Sequence, residues 1–431
     1  MTNAATGAAA KGQRHPPGLY VLFFTEMWER FSYYGMRSLL VYYMIKHLQF
    51  TQERSSEIYG LYTGFVYLTP LFGGLLADRL LGQRRTVILG GVLMAVGHFL
   101  MAFESLFFAA LLFLILGNGA FKPNISTQVG ALYPPGDHRR DRAFSIFYMG
   151  INLGAFFSPL VCGTLGEKVG FHWGFAAAGV GMVIGLIVYL SGQRHLAPDL
   201  IMQKNEAGQR RSQEPMTRED WLKIGAIFAM MALTIVFWSV YEQQGNTMAL
   251  WADAHTDRMI FGWEMPASWF QSFNPLMIFI FVPVLNVFWG RLDRGGREPS
   301  SIAKMGIGCI LLASAFLILI PPARELAINP RASLWWLTAC AFVLTIGEIH
   351  LSPIGLSLVT KIAPARIVSM MMGVWFLSSF FGNYLSGYLG TFWEKMPKED
   401  FFLLMFALSF AAGLAFFALL KPLKKAVGHG V

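Results

Sequence analysis

Long apolar runs, separated by short polar clusters, follow one another along almost the whole chain. Each run is close to the ~20 residues that an α-helix needs to cross the hydrocarbon layer of a membrane. The pattern therefore predicts twelve membrane-spanning helices, at 19–46, 57–78, 86–103, 105–128, 142–163, 171–191, 219–249, 268–290, 302–321, 333–359, 368–391 and 400–420.

A polar break at 192–217 separates the first six helices from the last six. The predicted fold class is an all-α membrane protein of two six-helix bundles. The predicted parts are a cytoplasmic tail at 1–18, a first bundle at 19–191, a cytoplasmic linker at 192–217, a second bundle at 218–420 and a cytoplasmic tail at 421–431.

A short motif occurs twice, about half a chain apart. Asp78-Arg79 follows the second predicted helix, and Asp293-Arg294 follows the eighth. A parallel repeat of this kind is what the major facilitator fold predicts. We interpret the first copy as a cytoplasmic gate, in which Asp78 pairs with Arg79, Arg84 or Arg85 and the pairs break as the bundles rock. The alternative is a basic loop that only sets membrane topology.

Composition supports the membrane assignment and adds an orientation. The chain is 55% hydrophobic and 14% charged, with a mean hydropathy of +0.49, which exceeds what a soluble core of this length would bury. The first eighteen residues show no secretory signal. Most basic residues fall in the even-numbered loops and the tails, so we expect both termini to be cytoplasmic and the protein to lie in the inner membrane. The net charge of +9 then reports orientation, and no nucleic-acid partner is expected.

The first helix carries several charged residues on one side. Glu26, Glu29, Arg30, Tyr33 and Arg37 fall within an arc of roughly 100°. A charge at a helix centre costs about 2.5–3.5 kcal/mol in lipid, so these side chains must face a wet cavity or one another. A purely structural ion-pair cluster is the alternative reading.

Three further charges lie deep in apolar helices: Lys122 in helix 4, Glu242 in helix 7 and Glu348 in helix 10. Basic residues thus concentrate in the first half and acidic residues in the second. A cavity between the halves would have a positive and a negative wall. Such a field suits a short zwitterion.

At these residues the chain resembles the proton-dependent oligopeptide transporter family. The resemblance rests on Glu26-x-x-Glu29-Arg30-Phe31-x-Tyr33-Tyr34-Gly35 in helix 1, on 147–154 in helix 5, and on Gly355-Leu356-Ser357 after Glu348.

The resemblance implies a role for each candidate residue. Substrate-binding residues would be Arg30 and Lys122 for the peptide carboxylate, Asn152, Asn274 and Glu348 for its amine and backbone, and Tyr33, Tyr34, Tyr67 and Trp375 for its side chains. Proton-coupling residues would be Glu26 and Arg37, with Glu242 as a salt-bridge partner that opens and closes the extracellular side. Glu29 would be an ion-pair partner of Arg30 or Lys122.

The sequence departs from the family pattern in two ways. The break at 192–217 is too short for the extra pair of helices that bacterial members usually carry. Mammalian members of the family place a proton-sensitive histidine in helix 2, and none occurs here at 57–78. Carboxylates would therefore have to carry the proton. His98 and His350 stand alone in apolar runs, and we interpret both as structural.

These observations predict proton-coupled symport of di- and tripeptides into the cell by alternating access, by a monomer that is not an enzyme. Neither a metal nor a cofactor is expected besides the coupling proton, and Cys162, Cys309 and Cys340 stand singly, without the CxxC spacing of zinc or redox sites. The sequence has no ATP-binding loop of the GxxxxGK(S/T) kind, which argues against a primary pump. The alternative is a carrier of the same fold for another anion or zwitterion, such as nitrate or a peptide-like drug. Glu348 distinguishes these, because it would repel a bare anion.

Overall fold

The computed structural model describes residues 14–134, 137–198, 216–364 and 367–427. Within these ranges twelve long helical segments follow one another, which is consistent with the predicted number. They are α1 Pro17–Tyr42 with a π-helical turn Tyr43–His47, α2 Gln52–Leu81, α3 Gln83–Leu100, α4 Glu104–Ala131, α5 Arg139–Lys168, α6 Phe171–His195, α7 Arg218–Ala254, α8 Ala267–Arg294, α9 Ser301–Arg324, α10 Leu334–Ile362, α11 Val368–Gly390 and α12 Lys398–Ala418.

The membrane character of these segments follows from their length and composition. Among the described residues, nine segments are long and apolar enough to cross a membrane. A further short helix, α13 Leu420–Val427, follows α12 and carries three lysines. The predicted all-α fold is therefore confirmed.

Buried apolar side chains form two separate clusters. One is drawn from residues 19–196, and the other from 224–423 together with Tyr42 of α1. Helices α1–α6 therefore pack as one bundle and α7–α12 as another. Residues 199–215 of the predicted linker, 1–13 of the first tail and 428–431 of the last tail lie outside the described residues, so the proposed domain boundaries stay predictions.

Polar caps place several helix starts outside the apolar runs. The Thr51 side chain accepts a hydrogen bond from the Arg54 amide, so α2 begins five residues before its predicted start. Thr217 and Asp220 form a reciprocal capping box at the start of α7. Such caps satisfy backbone N–H groups that the first turn of a helix leaves unpaired.

Two small sheets lie in the connections at one end of the second bundle. β1 Thr256–Asp257 pairs in parallel with β4 Ala332–Ser333, and β2 Met259–Ile260 pairs antiparallel with β3 Trp263–Glu264. The first pairing ties the α7–α8 connection to the α9–α10 connection. Strands of two residues carry no readable alternation, which is why the sequence did not predict them.

Candidate functional site

A cavity of about 370 Å³, with several charged side chains in its wall, lies between the two bundles. Its wall is built by α1, α2, α4 and α5 on one side and by α7, α8, α10 and α11 on the other. The predicted site residues that line it are Tyr34, Arg37, Tyr67, Lys122, Asn152, Glu242, Asn274, Glu348 and Trp375. Most candidates from the sequence therefore share one cavity.

Lys122 supplies a positive charge on the wall formed by the first bundle. Its Nζ lies 4.6 Å from the centroid of the Tyr67 ring, a cation–π contact. No described carboxylate lies within ion-pair distance of this amine. Lys122 can therefore accept an anionic group of a ligand.

Glu348 supplies a negative charge on the opposite wall. Its carboxylate accepts hydrogen bonds from the Tyr241 hydroxyl at 2.6 Å and from the Asn274 amide at 2.8 Å. Asn274 also donates to Thr345 at 3.0 Å, which fixes the amide. No described cation pairs with Glu348. The neutral partners hold the carboxylate in place and leave its charge available to a cation.

Arg37 joins the two bundles at the closed end of the cavity. Its guanidinium pairs with Glu242 of α7, and its Nε donates to the Tyr59 hydroxyl at 2.8 Å. The structure thus places Glu242 in the ion pair that the resemblance implied. Its role in opening the protein stays a prediction.

The remaining charges of α1 lie behind the cavity wall. Arg30 donates to both carboxylate oxygens of Glu29, with Nη2 at 2.6 Å from Oε1, and its Nε lies 3.4 Å from Glu26. Asn118 also donates to Glu29, at 3.2 Å. Glu26, Glu29 and Arg30 are each at most 3% exposed. Two carboxylates therefore share one guanidinium in a buried cluster.

This burial changes the interpretation of the residues on the charged side of α1. Arg30 and Tyr33 were predicted to contact substrate, but neither lines the cavity. Tyr33 is 2% exposed, and the Arg30 Cζ atom lies over its ring, 5.1 Å from the ring centroid. A helical wheel gives a common face for these residues, but it does not show which of them the neighbouring helices cover.

One end of the cavity is closed by polar contacts between the bundles. Besides Arg37–Glu242, these join Lys46 to Asp253, Glu53 to Lys395, Ser56 to Asn246, Gln52 to the Gly390 carbonyl, Thr164 to Trp269, and Glu167 to the amides of Ala267 and Ser268. Helices α2 and α11 also touch here at glycines: a Cβ on Gly60 would lie 2.5 Å from the Gly387 Cα.

The other end of the cavity is open. A second cavity of about 610 Å³ continues from Tyr148 and Glu348 toward Asp293 and Lys361, at the end of the molecule where α1 begins and α12 ends. Among the described residues, no hydrogen bond or ion pair joins the two bundles at this end. The structure is therefore open on the side of the molecule where α1 begins and α12 ends.

The predicted gate lies at this open end. The chain turns at Gly82 with φ 78°, a conformation that favours glycine. Arg84 donates to the backbone carbonyls of Leu196 and Ala197, at 2.5 and 3.0 Å, after the end of α6. Within the described residues, Asp78 forms no ion pair with Arg79 or Arg85, and the role of these residues as a gate stays a prediction. The contacts of Arg84 that can be described stay within the first bundle.

Some residues of the site were not predicted. Tyr59, Tyr148 and Tyr241 surround the charged groups, and Gln271 lines the cavity. The available signal was a polar side chain in an apolar helix, and Tyr241 stands directly before Glu242. His98 contacts Ser32 of α1 at 2.5 Å, and His350 contacts the Ile346 carbonyl of its own helix at 2.7 Å; their structural role stays a prediction.

Two helical bundles around a central charged cavity, closed at one end and open at the other, define a multi-pass membrane protein of the major facilitator fold. A model of the POT family matches residues 84–213 and 197–404. The chain belongs to the POT family, which confirms the resemblance carried by α1.

Comparison with known proteins gives relatives over nearly the full length. The chain is 35% identical to the peptide transporter YePEPT of Yersinia enterocolitica, over 90% of each chain. It is 32% identical to a di-/tripeptide transporter of Lactococcus lactis subsp. cremoris, over 96% of this chain and 97% of the relative. A crystal structure of a variant of peptide transporter POT in complex with alafosfalin matches with a TM-score of 0.89 at 33% identity, over 96% of both chains.

Proposed function

We propose that this protein is a proton-coupled symporter that carries di- and tripeptides into the cell by alternating access. It would lie in the cytoplasmic membrane with both termini inside, act as a monomer, catalyse no covalent reaction and need no cofactor beyond the coupling proton. Family membership supports this proposal, as do the relatives named peptide and di-/tripeptide transporters.

The observation that carries the proposal is the pair of unneutralised charges on opposite walls. Lys122 belongs to the first bundle and Glu348 to the second, and both line the same cavity. A peptide could place its carboxylate against Lys122 and its amine against Glu348. An extended chain spans at most about 3.3–3.6 Å per residue, so a fixed wall separation would favour peptides of two or three residues.

Proton coupling would use the buried charges around α1. Glu26 and Glu29 share the Arg30 guanidinium, and within the described part of the chain Glu26 Oε2 has no hydrogen-bond partner. One proton on Glu26 would balance the charge of this cluster. Protonation of Glu242 would weaken its ion pair with Arg37, which holds the bundles together at the closed end.

The energy for accumulation would come from the proton gradient and the membrane potential. Each charge that crosses the membrane gains about 2.3 kcal/mol per 100 mV. Binding of proton and peptide at the outward-open stage, followed by release of both inside, would couple the two flows.

Lys122→Ala tests the binding assignment in reconstituted liposomes. Loss of the cavity cation should weaken inhibition of uptake by an unlabelled dipeptide at least tenfold, because a charge-assisted hydrogen bond contributes about 1.5–3 kcal/mol. Lys223→Ala is the matched control, since Lys223 pairs with Glu219 near the start of α7, away from the cavity. Unchanged dipeptide affinity in Lys122→Ala would remove Lys122 from the binding site.

The alternative substrate class is tested by competition. Unlabelled di-, tri- and tetrapeptides and nitrate would be compared as inhibitors of labelled dipeptide uptake at acidic and neutral pH. We expect inhibition by di- and tripeptides only, because Glu348 repels an anion that has no amine. Strong inhibition by nitrate would favour a carrier of small anions instead.

A further inference from the structure

Three potential metal ligands meet at the closed end of the first bundle, away from the substrate cavity. They are His47 in the π-helical turn after α1, Glu104 at the start of α4 and His172 in the first turn of α6. One ligand atom from each lies within 4.8 Å of the other two. The three connections α1–α2, α3–α4 and α5–α6 thus each bring one ligand to the same place.

The two histidine rings are held in position by aromatic packing. The His47 ring stacks on Tyr43 at 5.1 Å and 17°, and it meets the His172 ring edge-on at 5.0 Å. Phe171 packs against His47 as well, at 6.1 Å. Rings that are fixed in this way lose little rotational freedom when they bind a ligand.

The polar atoms of this group are incompletely satisfied. His47 Nε2 lies 2.8 Å from Glu104 Oε1, but the buried His172 Nδ1 has no hydrogen-bond partner among the residues that the structure describes. A buried imidazole nitrogen that lacks a partner loses hydration without compensation. A cation bound by the three side chains would take the place of the proton between His47 Nε2 and Glu104 Oε1, and the neutral His47 ring would then carry its proton on Nδ1. The His172 ring would supply the third ligand.

We propose that His47, Glu104 and His172 form a binding site for a divalent transition-metal ion, with Zn²⁺ as its simplest occupant. Two imidazoles and one carboxylate are a known three-ligand set for Zn²⁺, and water completes the tetrahedron. Ligand atoms around such an ion are about 3.4 Å apart, since each lies ~2.1 Å from the metal. Binding would draw the more distant ligand atoms, which lie up to 4.8 Å apart, together by about 1 Å, while His47 Nε2 and Glu104 Oε1, 2.8 Å apart, would separate slightly.

The position of the site links it to the contact between the bundles. Lys46, next to His47 in the π-helical turn, pairs with Asp253 of α7 at 2.6 Å. A metal bound to His47 would fix this turn to α4 and α6. The ligand set excludes hard cations, because Mg²⁺ and Ca²⁺ prefer oxygen donors.

The test is a titration with Zn²⁺, and separately with Mg²⁺. The sample is the purified full-length chain, solubilised in detergent and without a histidine tag. We expect one Zn²⁺ per chain, no Mg²⁺ binding, and a melting temperature that rises with Zn²⁺ because the ion binds only the folded state. His47→Ala and His172→Ala should each weaken Zn²⁺ binding roughly tenfold or more, as loss of a ligand does.

His138→Ala is the matched control, because His138 is exposed at the start of α5 on the other end of the bundle. Glu104→Gln tests the third ligand and should weaken Zn²⁺ binding while it preserves side-chain size. If an alanine variant does not fold, the glutamine variants of His47 and His172 replace it. Wild-type Zn²⁺ affinity in the His47 and His172 variants, or equal loss in His138→Ala, would overturn the proposal.

Discussion

The two buried arginines of α1 have the same chemistry but different surroundings. Arg37 reaches across to the second bundle, whereas Arg30 is enclosed by two glutamates of its own helix. The sequence predicts that these residues share one face, because that depends only on their spacing. Which of them reaches the cavity depends on the packing of neighbouring helices, and the sequence alone could not show it.

Glu26→Gln should remove the proton site from this cluster. Liposomes that contain the variant should accumulate at least tenfold less dipeptide in response to an acidic outside pH. They should keep peptide counterflow, because exchange requires no net proton movement. A labelled dipeptide measures both activities. Accumulation at the wild-type level would show that Glu26 is not the coupling site.

Asp137→Asn is the control for this experiment. Hydrogen bonds from the Arg139 side chain and amide lower the pKa of Asp137 to about 2. A lowered carboxyl pKa adds stability above the unfolded value of about 3.9, and this contribution is lost only as pH falls toward 2. Asp137 therefore stays ionised at working pH, and its variant should keep the wild-type pH dependence of uptake.

Glu29→Gln should affect stability more than Glu26→Gln does. Glu29 is 0% exposed and accepts hydrogen bonds from both Arg30 and Asn118, whereas Glu26 makes one longer contact. Glu29→Gln leaves Arg30 with only the 3.4 Å contact to Glu26, and a hydrogen bond to a charged group contributes about 1.5–3 kcal/mol to stability. Thermal unfolding in detergent, followed by tryptophan fluorescence, should show the lower midpoint for Glu29→Gln. Equal midpoints would contradict this division of roles.

At the scale of elements, the described helical segments are consistent with the predicted number and order of helices, but the helix ends were predicted less well. Apolar runs report the part of a helix that lies in lipid, but α2 and α7 continue beyond it. Thr51 caps α2 outside the run, and α7 extends to Ala254, five residues past the predicted end. The short β-strands near the closed end depend on pairing between distant connections, which no local pattern reveals.

The start of α8 depends on a side chain from the other bundle. Each carboxylate oxygen of Glu167 accepts a hydrogen bond of 2.8 Å from a backbone amide, one from Ala267 and one from Ser268. Glu167→Ala should speed hydrogen exchange at these two amides about tenfold, because a lost helix cap costs about 1 kcal/mol or more. Hydrogen-exchange mass spectrometry of the peptide around Ala267 measures this change.

Glu325→Ala is the matched control, since Glu325 has an exposed side chain in the α9–α10 connection of the same end. Its variant should leave exchange at Ala267 and Ser268 unchanged. If Glu167→Ala also leaves it unchanged, this carboxylate does not hold the closed end together.

At the scale of the whole molecule, the two-bundle architecture was predictable and the conformational state was not. Open and closed forms of such a fold bury similar apolar runs, so hydropathy cannot distinguish them. The open end is instead visible in a residue such as Ser357, which is exposed and lines the second cavity.

Single cysteines can test which end is open. Cys162, Cys309 and Cys340 are fully buried, so they should give little background with a polar thiol reagent. Ser357→Cys should react at least tenfold faster than Ser56→Cys, because Ser56 is buried and donates to Asn246 at 2.8 Å. The rates would be measured in detergent without peptide. Equal rates would mean that the resting protein is not open at this end.

The contact between Gly60 and Gly387 has an energetic consequence for the transport cycle. Two glycine backbones that meet have no side chains to order, so closing this contact costs no rotamer entropy and opening it exposes little apolar surface. The balance between the two states then depends mainly on the charged contacts around it, above all Arg37 with Glu242. A proton can change the strength of such a contact, whereas it cannot change the packing of a glycine.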